Sequence, residues 1–124
     1  MRILFDASAL IHLLHGDLLN VILDLPESTW HMGPLAFNEC EQNGQIPPTL
    51  QQEIETQRLS LLDDSTISGA TFLYFFELYG LGEGETECLT FATSSDFVVC
   101  CDDRRARRMI ARELGEQRLT GSLG

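Results

Sequence analysis

Hydrophobic positions fall into short blocks that alternate between strand-like runs and helical spacing. Residues 2–6, RILFD, are an apolar run closed by an acid and predict a short buried strand. Ala9, Leu10, Leu13 and Leu14 then recur at helical spacing until Gly16 breaks the run. Asp17 is placed to cap a second helical stretch carrying Leu18, Leu19, Ile22 and Leu23. TWHMG at 29–33 predicts a second strand, and Pro34 suits the first turn of a helix holding Phe37, Asn38 and Glu39. Gly44 and Pro47-Pro48 punctuate the chain before a polar helix from about Thr49 to Arg58. Leu59-Ser60-Leu61-Leu62 reads as a short strand closed by Asp63-Asp64.

The second half repeats the pattern. Residues 66–79 carry Phe72, Tyr74, Phe75, Phe76, Leu78 and Tyr79, too apolar all round for a surface helix, which predicts burial in the core or at an oligomer interface. A Gly-rich loop at 80–84 leads into a helix from Glu85 through Ala92. Phe97-Val98-Val99-Cys100-Cys101 is the clearest strand, ended by Asp102-Asp103. A helix over 104–114 follows, with Leu119 in a last short strand. Strands alternating with helices predict an α/β fold: one domain over 1–124, with a mostly parallel central sheet of four to five strands flanked by helices.

Charge first argues against a nucleic-acid binder with a broad basic face. The 124 residues carry a net charge of −11, and the basic residues are all arginine. The distribution is uneven, at −15 over residues 1–103 and +4 over residues 104–124. No apolar run approaches the roughly 20 residues that span a bilayer. The N-terminus meets Asp6 too early for a signal peptide, so a cytoplasmic protein is expected. Cysteines 40, 88, 100 and 101 lack metal-binding spacing and are expected reduced; neighbours in a strand point to opposite faces and rarely bridge.

The acids carry the candidate chemistry. Asp6 and Asp102-Asp103 end apolar strands, and in doubly wound sheets ligands gather at the carboxyl ends of strands. Glu85 and Glu87 lie in the first turn of their helix, and Glu39 sits among Leu35, Ala36 and Phe37. Carboxylates brought together raise one another's pKa unless a cation neutralises them, and Mg²⁺ or Mn²⁺ prefers such oxygen ligands. A receiver-type signalling domain also places acids at strand ends, but it needs a lysine across the pocket, and the chain has none.

These residues resemble the PIN-domain family along nearly the whole chain. Asp6-Ala7-Ser8-Ala9-Leu10-Ile11 resembles its opening motif, and Pro34-Leu35-Ala36-Phe37-Asn38-Glu39 its second acidic position. Gly84-Glu85-Thr86-Glu87 through Ala92 resembles the GExE segment of a subgroup of small prokaryotic proteins. Val98 through Arg108 resembles its strand–DDR–helix, and Thr120-Gly121-Ser122-Leu123-Gly124 its closing turn. The resemblance implies a metal-dependent endoribonuclease like the VapC-type toxins of toxin–antitoxin pairs. It would act on RNA with an antitoxin partner, and the aromatic cluster at 72–79 adds a homodimer as an expectation. Asp6, Glu39, one of Glu85 or Glu87, and Asp102 would then ring one or two Mg²⁺ or Mn²⁺ that activate water against a phosphodiester. Asp103 would join the metal ring or cap the next helix. Ser8 would hold the first carboxylate or a metal-bound water. Apart from the resemblance, the arginines of 104–112, Arg104 and Arg105 among them, are candidates to contact substrate phosphate because guanidinium forks suit its oxygens.

Three departures from the family pattern are visible. Two glutamates stand where many members have one aspartate, and they do not share a helix face. Cys100 replaces a Thr or Ser two residues before Asp102. Relatives usually continue beyond the position of Gly124, so a truncated or partner-completed domain is an expectation. A catalytically degenerate PIN-fold scaffold is the alternative function. His12 and His15, one turn apart beside the first motif, are expected in surface or packing roles, and Trp30 in the core.

Overall fold

Five strands lie side by side in the computed structural model, which describes residues 1–42 and 47–122. They are β1 (Arg2–Phe5), β2 (Thr29–Met32), β3 (Ser60–Leu61), β4 (Val98–Cys100) and β5 (Leu119–Thr120). All pair in parallel, in the order β3-β2-β1-β4-β5. The expected α/β sheet is therefore present at its upper strand count. The chain winds outward from β1 through β2 to β3, then returns to place β4 on the other side of β1. The switch point lies between β1 and β4, and the carboxyl ends of these two strands carry Asp6 and Asp102.

The period of two along the strands sends alternate side chains to opposite faces. Ile3 and Phe5 pack with Leu10, Leu13, Met32 and Cys100, beneath α1 (Ala7–His15), α2 (Leu19–Leu23), α3 (Pro34–Gln42) and α4 (Pro47–Glu55). Leu4, Val99 and Cys101 face the other way, against α5 (Gly69–Tyr79), α6 (Glu83–Ser94) and α7 (Arg104–Leu114). Cys100 and Cys101 thus enter different cores, and all four cysteines are free thiols. No helix among the described residues is long and apolar enough to cross a membrane.

Two local expectations change. Asp17 does not cap α2; it takes a left-handed conformation (φ 56°) and its N–H bonds to Leu14 O as part of the exit from α1. Leu18 holds the N-cap position without a side-chain cap, because the α1 exit consumes the residues that would provide one. Of the two placements expected for the aromatic segment, core or oligomer interface, the core one does not hold. Of α5 only Phe75 is buried, while Leu73, Tyr74 and Leu78 are 59%, 61% and 53% exposed. Ser68 caps its start by accepting from Thr71 N–H at 3.2 Å, so local signals make the helix while one apolar side stays uncovered. Gly44 and the end of the closing turn, Leu123-Gly124, lie outside the described residues.

Basic side chains fasten the carboxyl-terminal half. Arg118 donates to Phe97 O, Ala92 O and Ser95 O at 2.7–2.8 Å, closing the end of α6 onto the strand that follows. Arg107 bridges the ends of β4 and β5, donating to Cys101 O at 2.7 Å and Thr120 O at 2.9 Å.

Candidate metal centre

Parallel pairing brings residues far apart in sequence to one edge of the sheet. Asp6 leaves β1 with its N–H bonded to Cys100 O at 2.9 Å, so the ends of β1 and β4 lie side by side. Its carboxyl is 2% exposed. Oδ2 accepts from Ser8 Oγ at 2.7 Å and from Cys101 Sγ at 3.4 Å, while Oδ1 is buried with no partner. Ser8 Oγ also accepts from Asp102 N–H at 3.2 Å, tying the two strand ends together.

Two glutamates face this aspartate. Ligand atoms of Asp6, Glu85 and Cys101 lie within 4.8 Å of one another. Glu85 Oε1 accepts from Gly82 N–H at 3.0 Å in a capping-box arrangement, which anchors one oxygen. Glu39 Oε1 accepts from Gly84 N–H at 3.1 Å, in the first turn of α6. A Cβ on Gly84 would stand 2.6 Å from that oxygen, so glycine is what lets α3 approach α6 here. Asp6, Glu39 and Glu85 share one design: one oxygen is fixed by the protein and the other has no hydrogen bond among the described residues.

Electrostatics follow the geometry. Burial pushes the Asp6 carboxyl above its usual range, against the pull of the Ser8 and Cys101 hydrogen bonds. Burial also raises Glu39, with Asp6 and Glu83 adding repulsion. Glu85 is pushed up to about 6, first by burial and then by Asp6, Asp103 and Glu39. Burial raises the Cys101 thiol, which therefore stays protonated and donates to Asp6. A hard divalent cation fits this set, because it takes the free carboxylate oxygens and relieves their mutual repulsion. Asp6 Oδ1, buried and without a partner, would gain one from such an ion.

Other candidate residues are placed differently. Asp102 is not among the convergent ligand atoms and has both oxygens engaged: Oδ2 with His12 Nδ1 at 2.7 Å, and Oδ1 with Ser122 N–H at 2.8 Å. Burial alone would raise its carboxyl, but the Ser122 and His12 hydrogen bonds outweigh that and hold it low. Glu87 does not join the cluster. It is 1% exposed, and its Oε1 accepts from Leu35 N–H at 3.0 Å at the start of α3. Two positions on from Glu85 turns a helical side chain by more than half a circle, and so Glu87 faces α3 instead. The two helices therefore exchange carboxylates, with Glu39 of α3 at the start of α6 and Glu87 of α6 at the start of α3.

Asp103 caps α7, accepting from Ala106 N–H at 2.9 Å, which is the helix-capping alternative of the two expected for it. Arg105, expected at the substrate, donates its guanidinium to Tyr79 O at 2.9 Å and Gly80 O at 3.4 Å at the end of α5. Arg104, Arg108 and Arg112 make no hydrogen bond or ion pair among the described residues, and Arg104 stands nearest the site in sequence. Trp30 is partly buried and stacks on Phe5 at 5.6 Å. Sequence reasoning missed two contacts, the Cys101 thiol on Asp6 and the His12–Asp102 pair. Strand alternation offered a signal for the first, since it turns Cys101 away from Cys100; nothing in the spacing of residues 12 and 102 signals the second.

The raised carboxyls make stability depend on pH. Asp6, Glu39, Glu85 and Glu87 hold protons more tightly folded than unfolded, and Glu87 is pushed up to about 7, chiefly by burial. From about pH 5 to pH 7 the folded state binds more protons, so the metal-free protein loses stability as pH rises. The low Asp102 acts oppositely, its contribution being lost below about pH 4. Thermal melts in EDTA are therefore expected to show a falling midpoint between about pH 5.5 and 8, and saturating Mg²⁺ to flatten the fall. A midpoint that climbs across this window in EDTA would contradict the assignment.

The model of a family described as a PIN domain matches residues 2–124. No curated protein matches the chain.

Proposed function

Since the chain belongs to the PIN-domain family, a nuclease fold, we propose that it is a metal-dependent endoribonuclease and the toxin of a toxin–antitoxin pair. The observation that carries this reading is the convergence of Asp6, whose buried Oδ1 has no partner, with Glu85 at ligand atoms within 4.8 Å, while Glu39 stands near enough to feel the charge of Asp6 and both glutamates keep a free oxygen. Asp6, Glu85 and Glu39 would hold Mg²⁺ or Mn²⁺, with Asp102 beside them. When bound, the ion supplies Lewis acidity toward a phosphodiester oxygen and makes water a stronger nucleophile.

The chain's own residues do the positioning. Ser8 and Cys101 hold Asp6 Oδ2, which leaves Oδ1 without a hydrogen bond among the described residues. The backbone N–H groups of Gly82 and Gly84 fix Glu85 and Glu39 before any ion arrives, so little ordering is left for binding. His12 and Ser122 orient Asp102. Arg104 is the side chain of this reading that meets a substrate phosphate, and Glu87 acts through α3 instead of as a ligand. Cys100, in the position of the family's hydroxyl, is buried in the core and supplies no group to substrate. The uncovered side of α5 supports the protein partners of this reading, a cognate antitoxin and a second copy in a homodimer.

The excess negative charge predicts weak RNA binding without metal. Purified protein is expected to cut end-labelled RNA at internal positions in Mn²⁺ and to leave it intact in EDTA. RNA that stays whole in both Mn²⁺ and Mg²⁺, or that binds tightly in EDTA, would overturn the proposal.

A further inference from the structure

Away from the acidic cluster, a cavity of about 220 Å³ lies where α3 and α5 begin, beside the 3-10 turn at Asp64–Thr66. Leu35, Ile67 and Phe72 make its apolar walls, Gly69 lies at the first residue of α5, and Asp64 and Glu87 are its charged groups. Glu87 uses Oε1 on Leu35 N–H, while its Oε2 is buried with no partner. No cationic side chain is among the described lining residues. A carboxylate buried against apolar walls is costly until a cation reaches it.

The lining selects the cation. A divalent ion wants about six oxygen ligands, and these walls are mostly carbon. An apolar stem ending in a cationic head matches them, the stem lying on Leu35 and Ile67 and the head meeting Asp64 and Glu87. A planar guanidinium suits two carboxylates and an aromatic ring such as Phe72 better than a compact ammonium does. Free arginine would bring its own carboxylate toward Asp64 and Glu87, with no basic side chain to receive it. A side chain carried on a peptide has no such charge.

We propose that this cavity is a binding pocket for an arginine side chain of a basic partner segment. The strongly negative charge of residues 1–103 draws such a segment in. Leu73, one turn beyond Gly69 and 59% exposed, offers an apolar contact to residues flanking the arginine. A Cβ on Gly69 would meet no atom within 4 Å, so the space beside it is open and a larger residue there can occupy it without straining the fold. The pocket stands apart from the nuclease reading, and its test needs no activity.

The test is a ¹⁵N NMR titration of the full chain in excess Mg²⁺, with acetyl-arginine-N-methylamide as probe. The lysine and citrulline analogues and free arginine are run in parallel. Saturable shifts are expected at Leu35, Ile67 and Phe72 with a Kd of about 1–10 mM for the arginine amide. Lysine amide and free arginine should bind more weakly, and neutral citrulline should not bind. Asp64→Asn should weaken binding severalfold, and Gly69→Leu should abolish it while leaving the melting temperature unchanged. Glu87→Gln is read beside a thermal melt, since Glu87 also holds α3. Absence of saturable shifts, an equal response to citrulline, or shifts centred on Asp6 and Glu85 would overturn the proposal. Free arginine binding as tightly as the amide would overturn the partner assignment.

Discussion

Asp6→Asn is expected to abolish metal-dependent cleavage, by at least about a thousandfold, while raising the thermal stability of the metal-free protein. Both effects have one cause. Asp6 is 2% exposed, and burial already pushes its carboxyl toward the protonated form. Asparagine keeps the shape and can still accept from Ser8 and Cys101, so the fold around β1 is retained. It removes the charge that an ion would neutralise, and with it the strongest attraction for that ion. Without metal that same charge is a burden, because Oδ1 has no partner. A site whose removal stabilises the protein is one kept for function. Cleavage assays with Mn²⁺ titrations and melts in EDTA read the two effects separately. Unchanged cleavage, or a melting temperature that drops in EDTA, would show that Asp6 is structural.

Gly33→Ala should be costly in the opposite sense, lowering stability by about 2–3 kcal/mol. The new Cβ would stand 2.1 Å from Glu87 Oε1 and 2.7 Å from its Cδ, inside any allowed contact. Glu87 is a flexible side chain, but it is buried and holds Leu35 N–H, so it cannot step aside without giving up the start of α3. Urea unfolding reads the loss. Mn²⁺ affinity of the folded variant is expected to stay within about threefold of the parent, because Asp6, Glu85 and Glu39 are anchored independently. A variant that keeps its stability but loses Mn²⁺ would return Glu87 to the metal site.

Strand ends and sheet type were legible in the sequence because apolar runs bounded by acids and glycines are local signals. RILFD and FVVCCDD show it most clearly, and they alone place Asp6 and Asp102 on the same edge of a parallel sheet. The choice between Glu85 and Glu87 was not legible. Both lie in one helical turn, and only the approach of α3, permitted by Gly33 and Gly84, decides which carboxyl meets Asp6 and which meets Leu35. The backbone contacts of Arg105 were not legible for a similar reason. An arginine beside an acidic strand end suits phosphate, but the end of α5, distant in sequence, takes its guanidinium first. The aromatic run in α5 left core and oligomer interface open because composition registers how apolar a segment is and not whether an element of the same chain covers it.

The net charge of −11 also changes meaning once the acids are placed. Asp6 and Glu85 bring ligand atoms within 4.8 Å of each other, with Glu39 close enough to feel the charge of Asp6, so part of the acidity is gathered where a divalent ion could be held. The arginines of α7 divide between fastening backbone carbonyls, as Arg105 and Arg107 do, and facing solvent.

The central claim is that Asp6 and Glu85, with Glu39 beside them, hold the ion. Crystals soaked in Mn²⁺ and measured at the manganese edge test it most directly. Anomalous density within coordination distance of Asp6 Oδ1 and Glu85 is the predicted result, disappearing in Asp6→Asn. Density lodged instead between Glu87 and Asp64, or none at Asp6 in crystals that bind Mn²⁺ elsewhere, would contradict it.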